Sequence, residues 1–238
     1  MEKLNKEILK NKEVIIFDLD GTLINTINIW NKVDYLVLKK HNIKLNKNII
    51  QDIRDNYLVN NTEDNIYLKY SKYLVEKYNL NIDYESFYKE RITISNKLLK
   101  DIKPKQFVLK TLNELKRKNY LLILATSTTN NEIELYKNNK YMKKLFYYFD
   151  LIVTANSVKN KKPNPEIYEY ILKKIRLNKN KFIVVEDSHI GLLCASNIGI
   201  DKIYLENKYS KKDYDLINRI TEYKLNNFLD LYKIIKKI

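Results

Sequence analysis

Apolar positions in this chain follow two distinct patterns. Short unbroken apolar runs occur at Val14, Ile15, Ile16 and Phe17, and again in "YLLILAT" (120–126), "LIVTA" (151–155), "FIVVED" (182–187) and the weaker "KIYL" (202–205). Runs of that length and branching predict strands buried on both faces, as in a parallel sheet. Between them the spacing turns helical. "QFVLKTLNELKRKN" carries Val108, Leu112 and Leu115, and "NPEIYEYILKKI" carries Ile167, Tyr170, Ile171 and Ile175, with Pro165 and Glu166 suited to a first turn. Strand and helix alternate, which predicts an α/β fold: a Rossmann-like parallel sheet with helices on both faces.

Residues 27–100 break the alternation. They hold no strand-like run of comparable strength, but helical spacing continues at Ile66, Tyr70, Tyr73 and Leu74, then Leu80 after a polar break. This stretch predicts an all-helical insert, with hinges near Thr26 and at Lys103–Pro104. The expected organisation is a core of residues 1–25 and 101–238 and a helical domain of residues 26–100.

Backbone punctuation is scarce, with three glycines and three prolines. In such a chain each marks a place where another residue would cost conformational energy. Gly21 follows "FDLD", Gly191 and Gly199 lie after "VVEDS", and Pro163 and Pro165 lie in "KKPNPEIY". The same segments hold the chemistry. Asp18 and Asp20 end the first run, Thr126 the second, and Glu186 and Asp187 the fourth, while Lys162 follows the third. Ligands of parallel sheets bind beyond the carboxyl ends of the strands, so these acids, hydroxyl and cation are expected along one edge. Asp and Gly also make ordinary turns. Two acids one residue apart, however, raise each other's pKa, and a divalent cation removes that cost.

Composition narrows the class. The chain has 238 residues, 45% of them hydrophobic, enough for a substantial core. It has no apolar run long enough for a bilayer, no signal-peptide core in "MEKLNKEILK", and one cysteine, Cys194, so no internal disulfide framework. The expectation is a cytoplasmic protein. Net charge is +15, but the lysines are spread along the chain rather than gathered in the stripe of a nucleic-acid binder. A basic surface draws anionic substrates toward a cleft; no nucleic acid and no membrane is expected as a partner.

"FDLDGTL", "ATST", "KKPNPEIY" and "VVEDSHIGLLCASNIG" together resemble the four ordered motifs of the haloacid dehalogenase-like superfamily, within its phosphatase and β-phosphoglucomutase subgroup. The resemblance covers roughly residues 12–26 and 104–206, and the insert fits the helical cap of that subgroup. It implies Asp18 as nucleophile, Asp20 as general acid and base, Thr126 and Lys162 as phosphate-binding residues, and Mg²⁺ held by Asp18, the Asp20 backbone carbonyl, Asp187 and Glu186. Asp20 argues against the dehalogenase branch, which lacks that acid. Two features depart from the subgroup: Asn25–Thr26 stands where an acid commonly precedes Ser or Thr, and "NNTEDN" (60–65) lacks the glycine and arginine of mutase caps. His41, Arg54 and Lys69 have no motif to anchor them. His41 reads as a surface histidine and His189 as structural.

The expected activity is a monomeric Mg²⁺-dependent phosphatase acting on a small phosphorylated metabolite, such as a sugar phosphate or similar monoester, through an aspartyl phosphate. A β-phosphoglucomutase-type mutase is the alternative enzyme. A basic nucleic-acid-binding protein on the same fold is the non-enzymatic one.

Overall fold

Val14–Phe17 (β1) is buried at all four positions, each side chain contributing about 1.5–3 kcal/mol on leaving water. It is the centre of a sheet. Leu121–Ala125 (β2) pairs on one side, followed by Leu151–Val153 (β3); Phe182–Glu186 (β4) pairs on the other, followed by Asp201–Leu205 (β5) and Lys224–Leu225 (β6). All pairings are parallel, in the order β3-β2-β1-β4-β5-β6. The chain winds outward from β1 in one direction, then returns to β4 and winds in the other. A crevice therefore opens at the carboxyl ends of β1, β2 and β4. This computed structural model describes residues 7–58 and 66–238, so the "NNTEDN" segment lies outside the described residues.

Two elements differ from the sequence expectation. Two-residue β6 was not anticipated, because a pair with a half-exposed lysine makes no apolar run. In the helix Glu166–Ile175, Tyr168 rather than Tyr170 is fully buried, beside Ile167 and Ile171. Pro165 sits just before that helix at the N-cap, where a missing N–H costs nothing.

Two compact units make up the chain: Met1–Asn25 with Lys103–Ile238, and Thr26–Ile102. The first holds the sheet and its flanking helices. Val14, Ile16, Ile123, Val184, Ile167 and Ile171 are among its core residues. Cys194 is buried there, and burial pushes its thiol up to about 12, so it is inert as a nucleophile. Among its described residues the second unit has four helices: Ile27–Lys40 (α1), Lys47–Leu58 (α2), Ile66–Lys77 (α3) and Tyr84–Leu99 (α4). Val33, Val37, Leu38, Tyr70, Leu74 and Phe87 form its core. Asp83 caps α4 by accepting a hydrogen bond from the Ser86 amide at 2.8 Å.

Candidate active site

The β1 backbone continues its pairing one residue past the strand, the Asp18 amide donating to Val185 O at 3.1 Å. Asp18 is thereby delivered to the sheet edge, buried. A tight turn follows, in which Leu23 and Ile24 amides bond Leu19 O and the Gly21 amide bonds Ile24 O at 2.8 Å. Gly21 has φ +93°, and a Cβ there would lie 2.2 Å from Asp187 Oδ2. Only glycine satisfies both the backbone and the space.

The β4 end supplies Glu186 and Asp187, just before the helix His189–Ile198. Glu186 Oε1 accepts from its own Asp187 and Ser188 amides at 3.2 Å and from Ser188 Oγ at 2.9 Å. Its other oxygen meets Lys162 Nζ at 2.9 Å. Lys162 also donates to Asp18 Oδ1 at 2.9 Å and to Ala125 O at 3.1 Å, using all three ammonium donors. Asp187 is fixed by Thr22 Oγ1 at 2.7 Å, by Asn207 Nδ2 at 2.6 Å, and by Ser210 Oγ on its backbone carbonyl.

Burial, then the Glu186 charge, pushes Asp18 well above the usual carboxylate range despite Lys162. Asp187 rises to about 6 for the same two reasons, against the Thr22 hydrogen bond. Burial opposes charge on Lys162 as well, but Asp18 and Glu186 outweigh it and hold the lysine protonated. Carboxylate oxygens of Asp18, Glu186 and Asp187 lie within 4.8 Å of one another. Three carboxyl groups share the one ammonium bonded to the cluster, that of Lys162, so the site holds more acid than this cation offsets. Hard oxygen donors with that residual charge fit a divalent cation, and the raised acids have the character of a site completed by one.

Residues 15–205 match the family profile of the haloacid dehalogenase-like hydrolases. The chain belongs to that family. Among its relatives, "Phosphorylated carbohydrates phosphatase" of Thermotoga maritima is 29% identical over 196 residues, 81% of this chain and 84% of the relative. Pyrophosphatase PpaX of Bacillus cereus is 26% identical over 78% of this chain and 79% of its own. A solved Thermotoga maritima structure, provisionally named a β-phosphoglucomutase, superposes with a TM-score of 0.77 at 23% identity, over 95% of this chain and 99% of its own. At that identity it speaks for the fold alone. The chain is thus a hydrolase enzyme, similar to relatives named as a phosphatase and a pyrophosphatase, and no helix among its described residues is long and apolar enough to cross a membrane.

The hydrolase core brings Asp18, Lys162, Glu186 and Asp187 into one contact network. Asp20 faces a separate set of partners: the Thr128 hydroxyl donates to Oδ2, and Tyr136 OH lies 3.5 Å from Oδ1. Thr126 is buried, and its hydroxyl accepts from the Thr128 amide at 3.1 Å. Asn25 is exposed, as is Lys69. His41 is partly covered rather than on the open surface, paired with Glu90 at 2.9 Å. Arg54 is buried against Asp34 at 2.7 Å, and His189 opens its helix half-buried. Thr128, Tyr136, Asn207 and Ser210 touch the candidate residues, yet were not anticipated. Thr128 closes the quoted "ATST", which is a signal; "ENKYS" around Asn207 and Ser210 offers none.

Proposed function

We propose that this hydrolase is a Mg²⁺-dependent phosphatase that removes the phosphoryl group from a small phosphorylated metabolite, a sugar phosphate or similar monoester. The observation that carries this reading is Lys162 bridging Asp18 and Glu186 beside Asp187. An anionic nucleophile aimed at an anionic ester needs positive charge beside it, and the Lys162 ammonium supplies part of that charge. Mg²⁺, when bound by Asp18, Glu186, Asp187 and the Asp20 carbonyl, would supply the rest of that screening.

In this mechanism an Asp18 carboxylate oxygen attacks phosphorus and the bond to the leaving oxygen breaks. Asp20, oriented by Thr128, gives that oxygen its proton. The resulting aspartyl phosphate is then attacked by water, from which Asp20 takes a proton back. The acyl–phosphate P–O bond breaks, releasing inorganic phosphate and restoring the Asp18 carboxylate. Thr126 and Lys162 would hold the phosphoryl oxygens, Lys162 by turning one of its three donors from its present partners to the phosphoryl group. The helical unit Thr26–Ile102 would serve as the cap that selects the substrate. We take the enzyme to act as a monomer in the cytoplasm.

The name of the Thermotoga maritima relative supports a phosphorylated sugar as substrate. The test is a phosphate-release panel of sugar phosphates, other small monoesters and pyrophosphate with Mg²⁺, with Asp18→Asn as control. Release from at least one sugar phosphate, abolished in the control, is expected. Activity on pyrophosphate alone would refute the monoester assignment.

A further inference from the structure

Lys105 is a half-buried lysine with no place in the motifs. Its ammonium donates to the carbonyl of Gly21, the residue whose α-carbon abuts the Asp187 carboxylate. The turn there does not depend on that contact for its shape. Gly21 N–H to Ile24 O at 2.8 Å, Lys105 N–H to Leu23 O at 2.8 Å, and the bridge between Ile24 and Pro104 already tie the two segments through backbone. One neutral donor would satisfy a single carbonyl. Placing a full positive charge in a half-buried position costs free energy unless anions repay it. Burial does push the Lys105 pKa down, and Asp187 and then Asp18 oppose that fall. Seated on Gly21, which packs against the Asp187 carboxylate, the ammonium is placed next to an acid of the candidate metal site.

We propose that Lys105 is a positioning residue whose ammonium, seated on Gly21, sets how tightly Asp18 and Asp187 hold a divalent cation. This rests on the metal-dependent reading above and deepens it. The Asp18–Glu186–Asp187 cluster carries more negative charge than Lys162 alone offsets. A second ammonium beside them offsets part of that charge when no cation is bound and repels the cation when one arrives. Lys105 thereby makes the metal-free protein more stable and metal binding weaker.

The test uses the full chain stripped of metal, with Mg²⁺ binding followed by titration calorimetry and melting temperature measured in chelator. Lys105→Gln keeps a donor for Gly21 and loses the charge; Lys105→Arg keeps the charge. A charge pair of this kind at intermediate dielectric is worth about tenfold in affinity. Lys105→Gln is expected to bind Mg²⁺ about tenfold more tightly than wild type and to melt lower in chelator, while Lys105→Arg stays within about threefold of wild type. Equal or weaker Mg²⁺ binding by a folded Lys105→Gln overturns the proposal. If that variant does not fold, Lys105→Arg decides: a wild-type affinity supports the charge role, and a large change refutes it. A wild-type chain that binds no Mg²⁺ defeats both the metal-dependent function and this role. Wild-type binding with no phosphate release from the panel defeats the phosphatase assignment alone.

Discussion

A Cβ on Gly191 would lie 2.0 Å from Oε2 of Glu186. The absent side chain is the space that the carboxylate occupies while it meets Lys162 at 2.9 Å. Gly191 lies within a helix, where alanine is favoured over glycine by about 1 kcal/mol. The clash extends back to Cγ at 2.5 Å and falls on a buried side chain held by Lys162, the Asp187 and Ser188 amides and the Ser188 hydroxyl, so relieving it breaks those contacts. Gly191→Ala is therefore expected to melt below wild type despite its better helix propensity, and turnover should fall at least about tenfold as one preorganised charge is displaced. Thermal melts and phosphate release at saturating substrate test this. Unchanged turnover would show that the Glu186 position is not required.

Asp18→Asn separates chemistry from folding. The amide is no nucleophile, so turnover should fall by about a thousandfold or more. Burial and the neighbouring Glu186 both disfavour charge at position 18, and the neutral side chain relieves both. The variant should thus melt no lower than wild type in chelator. Near-normal phosphate release would sink the assignment of Asp18.

Asp187 gives the site a pH signature. Its folded-state pKa is raised to about 6 from an ordinary 3.8, so between those values the folded chain binds more protons than the unfolded one. Stability from this group is present at the acidic end of that window and is lost as pH rises through it. Metal-free wild type should accordingly lose stability relative to Asp187→Asn from about pH 4 to pH 6, and Mg²⁺ should restore it above pH 6, where the carboxylate is free to coordinate. Chemical denaturation of both proteins across that range, with and without Mg²⁺, provides the measurement. A difference independent of pH would contradict the raised value.

Much of this was legible in the sequence because strand ends and scarce glycines carried it. The runs after which Asp18, Thr126 and Glu186 stand are unbroken and apolar, and such runs have few alternatives to a buried parallel strand. Gly21 and Gly191 marked close approaches because the chain spends so few glycines elsewhere. What the sequence hid depends on side-chain reach across the fold. Lys105 is one of 44 basic residues, and only its contact with Gly21 distinguishes it. Asn207 and Ser210 arrive at Asp187 from beyond β5, through a segment with no periodic pattern. Asp34, Arg54 and Arg91 are far apart in sequence and meet only once α1, α2 and α4 pack together.

That buried cluster makes a stability prediction for the helical unit. Asp34 accepts from Arg54 at 2.7 Å and from Arg91 Nε at 2.9 Å, with Tyr70 OH at 3.3 Å. Despite burial, the two guanidinium groups hold its pKa below the usual value. Asp34→Ala leaves two buried cations without their anion and should cost about 3–5 kcal/mol. The depressed pKa adds a sign: this stabilisation is complete above the unfolded value of 3.8 and is lost as pH falls below it. Urea denaturation at neutral pH and below pH 4 should show the wild-type advantage shrinking in acid. A cost under about 1 kcal/mol at neutral pH would place the cluster among ion pairs of surface character.

The remaining choice is between hydrolysis and phosphoryl return, and it turns on what attacks the aspartyl phosphate. Attack by water yields inorganic phosphate; attack by a second sugar hydroxyl yields a transferred phosphoryl group. A mutase must exclude water while the phosphorylated enzyme waits for its acceptor, which requires firm contacts to the sugar. Arg54 and Arg91, the arginines of the helical unit, are both committed to Asp34. Neither is a ready clamp for a sugar phosphate. Incubated with β-glucose 1-phosphate or its best sugar phosphate, the enzyme should release phosphate stoichiometrically and need no bisphosphate primer. Phosphorus NMR follows both products in one sample. Accumulation of glucose 6-phosphate with little free phosphate would assign the reaction to a mutase.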